Sequence, residues 1–277
     1  MSQGKSTGSP DTFKGFEHAG WERAAGTYHD AFASLTQQAI EPLLDAAGIR
    51  AGVRLLDVAT GPGYAAAAAA RRSARITGVD FSAAMVAEAR VRHPGIDFQS
   101  GDAESPDFPD ASFDAVVMNF GMLHLERPEQ AIREAWRVLR PGGRYAFTVW
   151  AEPPQTIGFE IVLKAIERHG VTDAGLPPGP PFFRFSDFKE CARTLAAAGF
   201  ANAQSRQLPL VWQLDSPERL FAAFWESSVR TGALLRAQSP EALLAIRNTI
   251  LAGAARHCRD GQVSFPMPAV LSSAVKE

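Results

Sequence analysis

One junction limits this chain more than any other. An apolar run, Val53–Val58 (VRLLDV), passes through Ala59 and Thr60 into Gly61-Pro62-Gly63, and an alanine stretch follows at residues 65–70. A short apolar run bounded by turn residues reads as a buried strand. Alanine is the strongest helix former, so the stretch after the turn reads as a helix. Strand, glycine turn and helix in this order leave two glycines where backbone can approach a ligand closely. They also leave a helix start with free N–H groups and positive dipole character.

The same alternation continues downstream. Arg75–Val79 is a second apolar strand ending in Asp80, and Ser82 is placed to cap a helix over Ala83–Arg92. Ile96–Gln99 and Phe113–Met118 read as the third and fourth strands. Pro128–Leu139 reads as a helix broken by Pro141-Gly142-Gly143, and Tyr145–Trp150 as the fifth strand. Strands alternating with helices at this spacing, each a continuous apolar run, argue for a parallel sheet with helices on both faces. Upstream, Trp21 to Ala47 has a helical pattern that Pro42 divides and Gly48 ends.

After Trp150 the rhythm changes. Pro153-Pro154 and residues 177–181 mark loops, with a helix between them at about 156–169. A further helix runs from Ser186 to Ala198, closed by Gly199. Ala203–Leu214 alternates like a strand, Ser216 caps another helix, and Pro240 starts one reaching about His257. Gln262–Val275 is strand-like around Pro266 and Pro268. The strands near 203–214 and 263–275 would be the final antiparallel pair of the sheet, with the helices between them folded over the carboxyl ends of the strands. The prolines argue against a fully paired central position for the last one. The expected fold is α/β: a doubly wound, mostly parallel seven-stranded sheet with N-terminal helices and a helical lid inserted before the last strand. The division expected is a disordered tail over 1–12, N-terminal helices and cofactor core over 13–150, and lid elements plus the last two strands over 151–277.

Bulk properties exclude some partners. Hydrophobic residues make up 46% of the 277, enough for a large core, while the net charge of −2 provides no basic footprint for nucleic acid. The two cysteines, Cys191 and Cys258, lie in no metal-type spacing, so no metal site is expected and a reducing, cytoplasmic setting fits. Met1 to Pro10 lacks the apolar segment of a signal peptide, and no apolar run approaches the roughly 20 residues of a membrane span.

The residues around the glycine turn separate two cofactor chemistries. Gly61-x-Gly63-x-x-Ala66 satisfies a loose dinucleotide fingerprint, which leaves a nicotinamide-dependent oxidoreductase open. Asp57, four residues before Gly61, is unhelpful to a pyrophosphate but can pair with an ammonium group. Asp80, at the end of the second strand, can take both hydroxyls of a ribose. Gly101-Asp102-Ala103 follows the third strand, where one carboxylate and one backbone N–H can read an adenine edge. A ligand with an ammonium, a carboxylate, a ribose and an adenine, and no phosphate, fits this set; S-adenosylmethionine is such a ligand.

Four motifs in order, LLDVATGPG (55–63), ITGVDFSAAMVAEAR (76–90), GDAESPDFPDASFDAVVMNFGMLHL (101–125) and EAWRVLRPGGRYAFTVW (134–150), resemble the S-adenosylmethionine-dependent methyltransferases with a Rossmann-like fold. Within them, the sequence is most similar to the ubiquinone and menaquinone biosynthesis branch. The resemblance implies that Asp57 lies near the methionine amine and that Ala59, Thr60, Gly61 and Gly63 offer backbone to the methionine moiety. It implies that Asp80 binds the ribose, that Phe81 stacks on adenine beside Met85, and that Asp102 and Ala103 read the adenine edge. Asn119 and Phe120 would line the methyl end, and Tyr28 would close over the cofactor. Ala59 stands where the family usually has glycine.

Methyl transfer from a sulfonium is an in-line displacement, which needs alignment and dryness more than a dedicated base. His124, in NFGMLHL just after the fourth strand, is the candidate catalytic base; a histidine that only orients a loop is the alternative. His29 reads as exposed on its helix, and His18 as part of a flexible entry segment. Aromatics are plentiful outside the motifs, so a small hydrophobic or aromatic acceptor is expected, with Trp21 and Trp150 as candidate pocket residues. Two further alternatives are a cofactor-binding protein without transferase activity and a methyltransferase acting on protein or RNA, against which the near-neutral charge and the aromatic lid speak. The acceptor, the atom methylated and the oligomeric state are not legible. S-adenosylhomocysteine would be the product left on the enzyme.

Overall fold

Ten strands divide between two sheets in the computed structural model, which describes residues 12–277. They are β1 (Arg54–Val58), β2 (Arg75–Asp80), β3 (Asp97–Ser100), β4 (Phe113–Asn119), β5 (Leu139–Trp150), β6 (Phe200–Leu208), β7 (Val211–Leu214), β8 (Cys258–Arg259), β9 (Gln262–Pro266) and β10 (Ala269–Lys276). Seven of them form the main sheet in the order β3-β2-β1-β4-β5-β10-β6. Its pairings from β3 to β5 are parallel, and β10 runs antiparallel to both of its neighbours. This is the doubly wound, mostly parallel fold expected from the alternation. Helices cover both faces, which is why adjacent residues of one strand, Leu55 and Leu56 or Val116 and Val117, are all fully buried.

Apart from β5, which begins at Leu139 rather than at the expected Tyr145, the core strands and helices fall within a residue or two of the sequence reading. Ser82 caps the helix Ala83–Arg92 by accepting from the Met85 amide at 3.1 Å. Of the tail expected over residues 1–12, only Thr12 is among the described residues, and its hydroxyl accepts from the Gly15 amide to cap the helix Phe13–Ala24.

Five local readings are corrected. The first helix begins at Phe13, eight residues before the expected Trp21, and the break falls at 25–28 instead of Pro42. Pro42 sits third in the helix Ile40–Ala46, where its missing N–H has no helical partner to lose. Pro141-Gly142-Gly143 does not end a helix but lies inside β5, where the ladder with β4 shifts register between Phe113 and Ala115. Ala203–Leu214 is two strands separated at Pro209, with β6 in the main sheet and β7 in a small sheet ordered β7-β9-β8. The tail is likewise split at Pro266–Pro268, so β10 holds a paired position between β5 and β6, clear of both prolines. Finally, Asp187 caps the helix Phe188–Ala197, and Ser216 makes no side-chain cap.

Among the described residues no helix is long and apolar enough to cross a membrane.

Candidate active site

The carboxyl ends of β1, β2 and β4 lie along one edge of the sheet, because the three strands are parallel neighbours. Asp57, Asp80 and Asn119 are thereby carried to a common cleft, with about 930 Å3 of protein-free space, part of it open to solvent. The cleft also takes in Ala59, Thr60, Gly61, Phe81, Met85, Asp102, Ala103 and Phe120. Tyr28, Trp21 and His124 close its other side. Residues from five separate segments of sequence are thus brought together.

Gly63 is the exception. It is not among the lining residues; it adopts φ +83° at the start of the helix Tyr64–Arg71, and a Cβ there would come within 2.7 Å of the Phe98 ring. Its role is to let the turn pack on β3, behind the cleft. At Gly61, φ +53°, a Cβ would meet nothing within 4 Å, so backbone is open to the cleft there.

Asp57 is buried at 1% exposure. Its Oδ2 accepts from the Thr60 hydroxyl at 2.6 Å and from the Ala66 amide at 3.1 Å. Its Oδ1 has no partner. Burial pushes its pKa up to about 7, against the pull of those two hydrogen bonds, and the charge of Asp80 adds to the rise. Asp80 is also raised by burial, to about 6, against backbone N–H groups of Ser82 and Gly61 that it accepts at 2.9 Å each. Two buried carboxyls and an unpartnered acceptor oxygen disfavour a pyrophosphate. They fit a ligand that brings an ammonium and ribose hydroxyls. Such a ligand supplies a donor to the orphaned Asp57 oxygen, and Asp80 Oδ1 and Oδ2 each keep an unused lone pair.

Ala59 at φ +53° and Phe120 at φ +56° have left-handed backbone just past strand ends of the main sheet. They lie after the adjacent strands β1 and β4, and Gly121 is packed so close that a Cβ on it would come within 2.6 Å of the Ala59 Cβ. The Thr148 hydroxyl of β5 fixes the β4 end: it donates to Asn119 Oδ1 at 2.7 Å and accepts from the Phe120 amide at 3.1 Å. Asn119 Nδ2 in turn donates to the Thr36 carbonyl at 3.3 Å, and Tyr28 donates its hydroxyl to Thr36 Oγ1 at 3.2 Å. Tyr28 and the segment below it are thus tied to the strand ends.

The helix Phe13–Ala24 closes the cleft, and the sequence reading missed most of its part. Lys14 pairs with Asp102 and, at 3.2 Å, with Glu104. The buried Glu17 meets His124 Nδ1 at 2.9 Å. Trp21 sets its ring at 85° to that of His124, centroids 4.7 Å apart. Lys14, Glu17 and Trp21 are spaced i, i+3, i+7 and so share one face; this stripe is the signal that could have found them. His18 is not in a flexible entry segment but on the same helix, edge-on to Phe81 at 5.4 Å. His29 is exposed, as expected, and its Nδ1 lies 2.5 Å from the hydroxyl of Tyr64, another lining residue.

A second cavity of about 530 Å3 adjoins the first. Trp21, Tyr28, Thr36, Phe120 and His124 line both, so they form the shared wall. Beyond them the walls are Phe32, Trp150, Phe159, Phe182 and Phe224, closed by residues 227–231. Trp150 stacks on Phe120 with centroids 4.0 Å apart. Of the two tryptophans singled out from the sequence, Trp150 borders only this second cavity, while Trp21 borders both. Trp212, by contrast, is core, fully buried and stacked on Phe32 at 5.0 Å.

Comparison with known proteins identifies the family. A family profile described as a methyltransferase domain matches residues 56–147. The chain is 32% identical to the demethylmenaquinone methyltransferase of Clavibacter sepedonicus over 170 residues, 57% of this chain and 69% of that one. It is also 32% identical to the ubiquinone/menaquinone biosynthesis C-methyltransferase UbiE of Roseobacter denitrificans, over 40% of this chain and about half (48%) of that protein. Among solved structures, the YcgJ protein of Bacillus subtilis shares the fold with a TM-score of 0.58 at 24% identity, covering 86% of this chain and 98% of that one. The chain belongs to the S-adenosylmethionine-dependent methyltransferases, on the branch of the ubiquinone and menaquinone biosynthesis enzymes, and S-adenosylmethionine is its cofactor.

Proposed function

We propose that this methyltransferase acts on a small, hydrophobic or aromatic acceptor seated in the second cavity, and that the cleft residues named above hold the cofactor. One observation carries the reading: the cleft adjoins, across shared lining residues Trp21, Tyr28, Thr36, Phe120 and His124, a box walled by aromatic rings. Such a box suits a planar apolar ring, because aromatic faces and edges attract one another beyond simple area burial. Two of the similar proteins are named for demethylmenaquinone and for ubiquinone and menaquinone biosynthesis, so a quinol-type ring is the acceptor class to test first.

In this reading Asp57 receives the methionine ammonium, Asp80 the ribose hydroxyls, and Asp102 with Ala103 the adenine edge, with Phe81 and Met85 beside it. Ala59, Thr60 and Gly61 offer backbone to the methionine moiety, and Asn119 and Phe120 border the methyl end. When bound, the cofactor supplies a methyl group on a cationic sulfur, so transfer forms one bond to the acceptor, breaks the carbon–sulfur bond and leaves a neutral thioether. The chain's own residues align, dry and deprotonate. Phe120 and Trp150 hold the ring against the shared wall. Tyr28 and the helix Phe13–Ala24 exclude water, which raises the strength of every charge interaction inside. His124, on that wall, takes the acceptor's proton.

Calorimetric titration with S-adenosylhomocysteine, with NADH as control, tests the cofactor residues: binding is expected for the first alone and to be lost in Asp80→Ala. Turnover of S-adenosylmethionine with a panel of hydroxylated benzoquinols and naphthoquinols tests the acceptor class. Turnover on none of these, with turnover on aliphatic amines instead, would refute the aromatic reading.

A further inference from the structure

The buried carboxylate of Glu17 has no part in the cofactor set, yet it sits 2.9 Å from Nδ1 of His124. Glu17 is 2% exposed, and the helix that carries it brings Trp21 against the same imidazole. Phe182 also meets that ring edge-on, centroids 6.0 Å apart. Nε2 of His124 has no hydrogen-bond partner among the described residues, while the residue lines both cavities.

We propose that Glu17 is a positioning residue that holds His124 in the Nδ1–H tautomer, leaving Nε2 as the proton acceptor at the junction of the two cavities. An ionised carboxylate only accepts hydrogen bonds, so the nitrogen facing it must carry the proton. A neutral imidazole has one N–H, and fixing it on Nδ1 makes Nε2 the basic atom. Free imidazole side chains in water favour the opposite tautomer, so the carboxylate reverses an intrinsic preference. As the acceptor's nucleophile gives up its proton, that proton goes to Nε2, and the resulting imidazolium faces the Glu17 carboxylate. The acceptor therefore presents an X–H group, a hydroxyl above all, whose proton must leave during transfer. The base is complete only with the helix Phe13–Ala24 docked, because Glu17 arrives on that helix. This inference rests on the reading of His124 as the base.

The test is nitrogen-15 NMR of the histidine side chains in the intact protein, at a pH where the spectra themselves show the His124 ring to be neutral. The chain has six histidines, and His124→Asn identifies the resonances of His124 by their loss. The expected spectrum has a protonated, pyrrole-type Nδ1 and an unprotonated, pyridine-type Nε2. In Glu17→Ala the signals are expected to exchange character, with the Nε2–H form becoming the major one. Glu17→Gln, closer in shape, guards against loss of fold; a mixed population is expected there, with unchanged affinity for S-adenosylhomocysteine. A protonated Nε2 in the parent protein, or a His124 spectrum unchanged in both variants, would overturn the proposal. Since the tautomer is read without acceptor or turnover, a failed search for the acceptor cannot imitate either result.

Discussion

The Thr60 hydroxyl donates to Asp57 Oδ2 at 2.6 Å, at the turn where β1 ends, while the other oxygen of the same carboxylate has no partner. The satisfied oxygen orients the group and the unsatisfied one is left for a ligand. Burial holds this carboxyl at about 7, so a cationic ligand must first meet it ionised. Affinity for S-adenosylhomocysteine, which carries the same ammonium, is therefore expected to fall about tenfold for each pH unit below about 7. Above that it should level off. Calorimetry between about pH 5.5 and pH 8.5 reads this directly, and a flat profile would remove Asp57 from the ammonium site.

The same raised pKa bears on stability. A group that binds its proton more tightly folded than unfolded stabilises the fold only while protonated. The contribution is thus present below the unfolded value of 3.8 and lost as pH rises towards about 7. At roughly 1.4 kcal/mol per unit, the free protein loses at most about 4 kcal/mol across that window through this one group. Asp57→Asn cannot ionise, so its unfolding free energy should vary less between about pH 5 and pH 8 than that of the parent, while cofactor binding is lost. Urea unfolding at the two pH values checks both the sign and the site-for-stability trade.

How much of this could be read from the chain follows from how far each feature depends on local chemistry. The first five strands and the cap at Ser82 were legible because each is announced by its own residues. The split of 203–214 and of 262–275 into two sheets was not, since each stretch reads as strand-like on both sides of its prolines and only the tertiary partner separates the halves. The cleft was legible where strand ends carry acids, as at Asp57 and Asp80. Lys14 and Glu17 escaped notice because their meaning depends on where the helix docks, although their spacing with Trp21 was in view. Gly63 was expected to offer backbone to the ligand, whereas it lies outside the cleft lining, packed against Phe98.

Ala59 stands at φ +53°, where an L side chain costs roughly 1–2 kcal/mol. Glycine relieves that cost but adds freedom to the unfolded chain. Ala59→Gly is expected to stabilise the protein by about 0.5–1 kcal/mol and to leave cofactor affinity within about twofold. Thermal unfolding and calorimetry decide it. Destabilisation would mean that the methyl group, in contact range of Gly121, contributes packing worth more than the strain.

Lys14 fastens the closing helix to the turn after β3 through the half-buried Asp102 and the buried Glu104. Arg127 also holds Glu104, with Nε at 3.0 Å, so removing the lysine does not strand that carboxylate. Lys14→Ala is expected to speed dissociation of S-adenosylhomocysteine about fivefold, equivalent to about 1 kcal/mol. Raising salt should have a similar effect on the parent and little on the variant. Stopped-flow displacement at two ionic strengths checks this, and equal salt dependence in both proteins would show that the latch does not hold the cleft closed.

Trp150 and Trp21 were paired in the sequence reading, and the structure separates them. Trp150 borders the aromatic box alone and stacks on Phe120 at 4.0 Å, whereas Trp21 also borders the cleft and packs against His124. Trp150→Phe keeps an aromatic wall but surrenders part of the stack, worth about 1 kcal/mol. Its acceptor KM is expected to rise about fivefold with affinity for S-adenosylhomocysteine unchanged. Trp21→Phe should alter both quantities, because one ring serves both walls and orients the imidazole. Steady-state kinetics on an acceptor found in the quinol panel, set beside calorimetry on the same preparations, separates the two residues. If Trp150→Phe weakens cofactor binding as much as Trp21→Phe does, the second cavity is not a distinct acceptor site but an extension of the cofactor cleft.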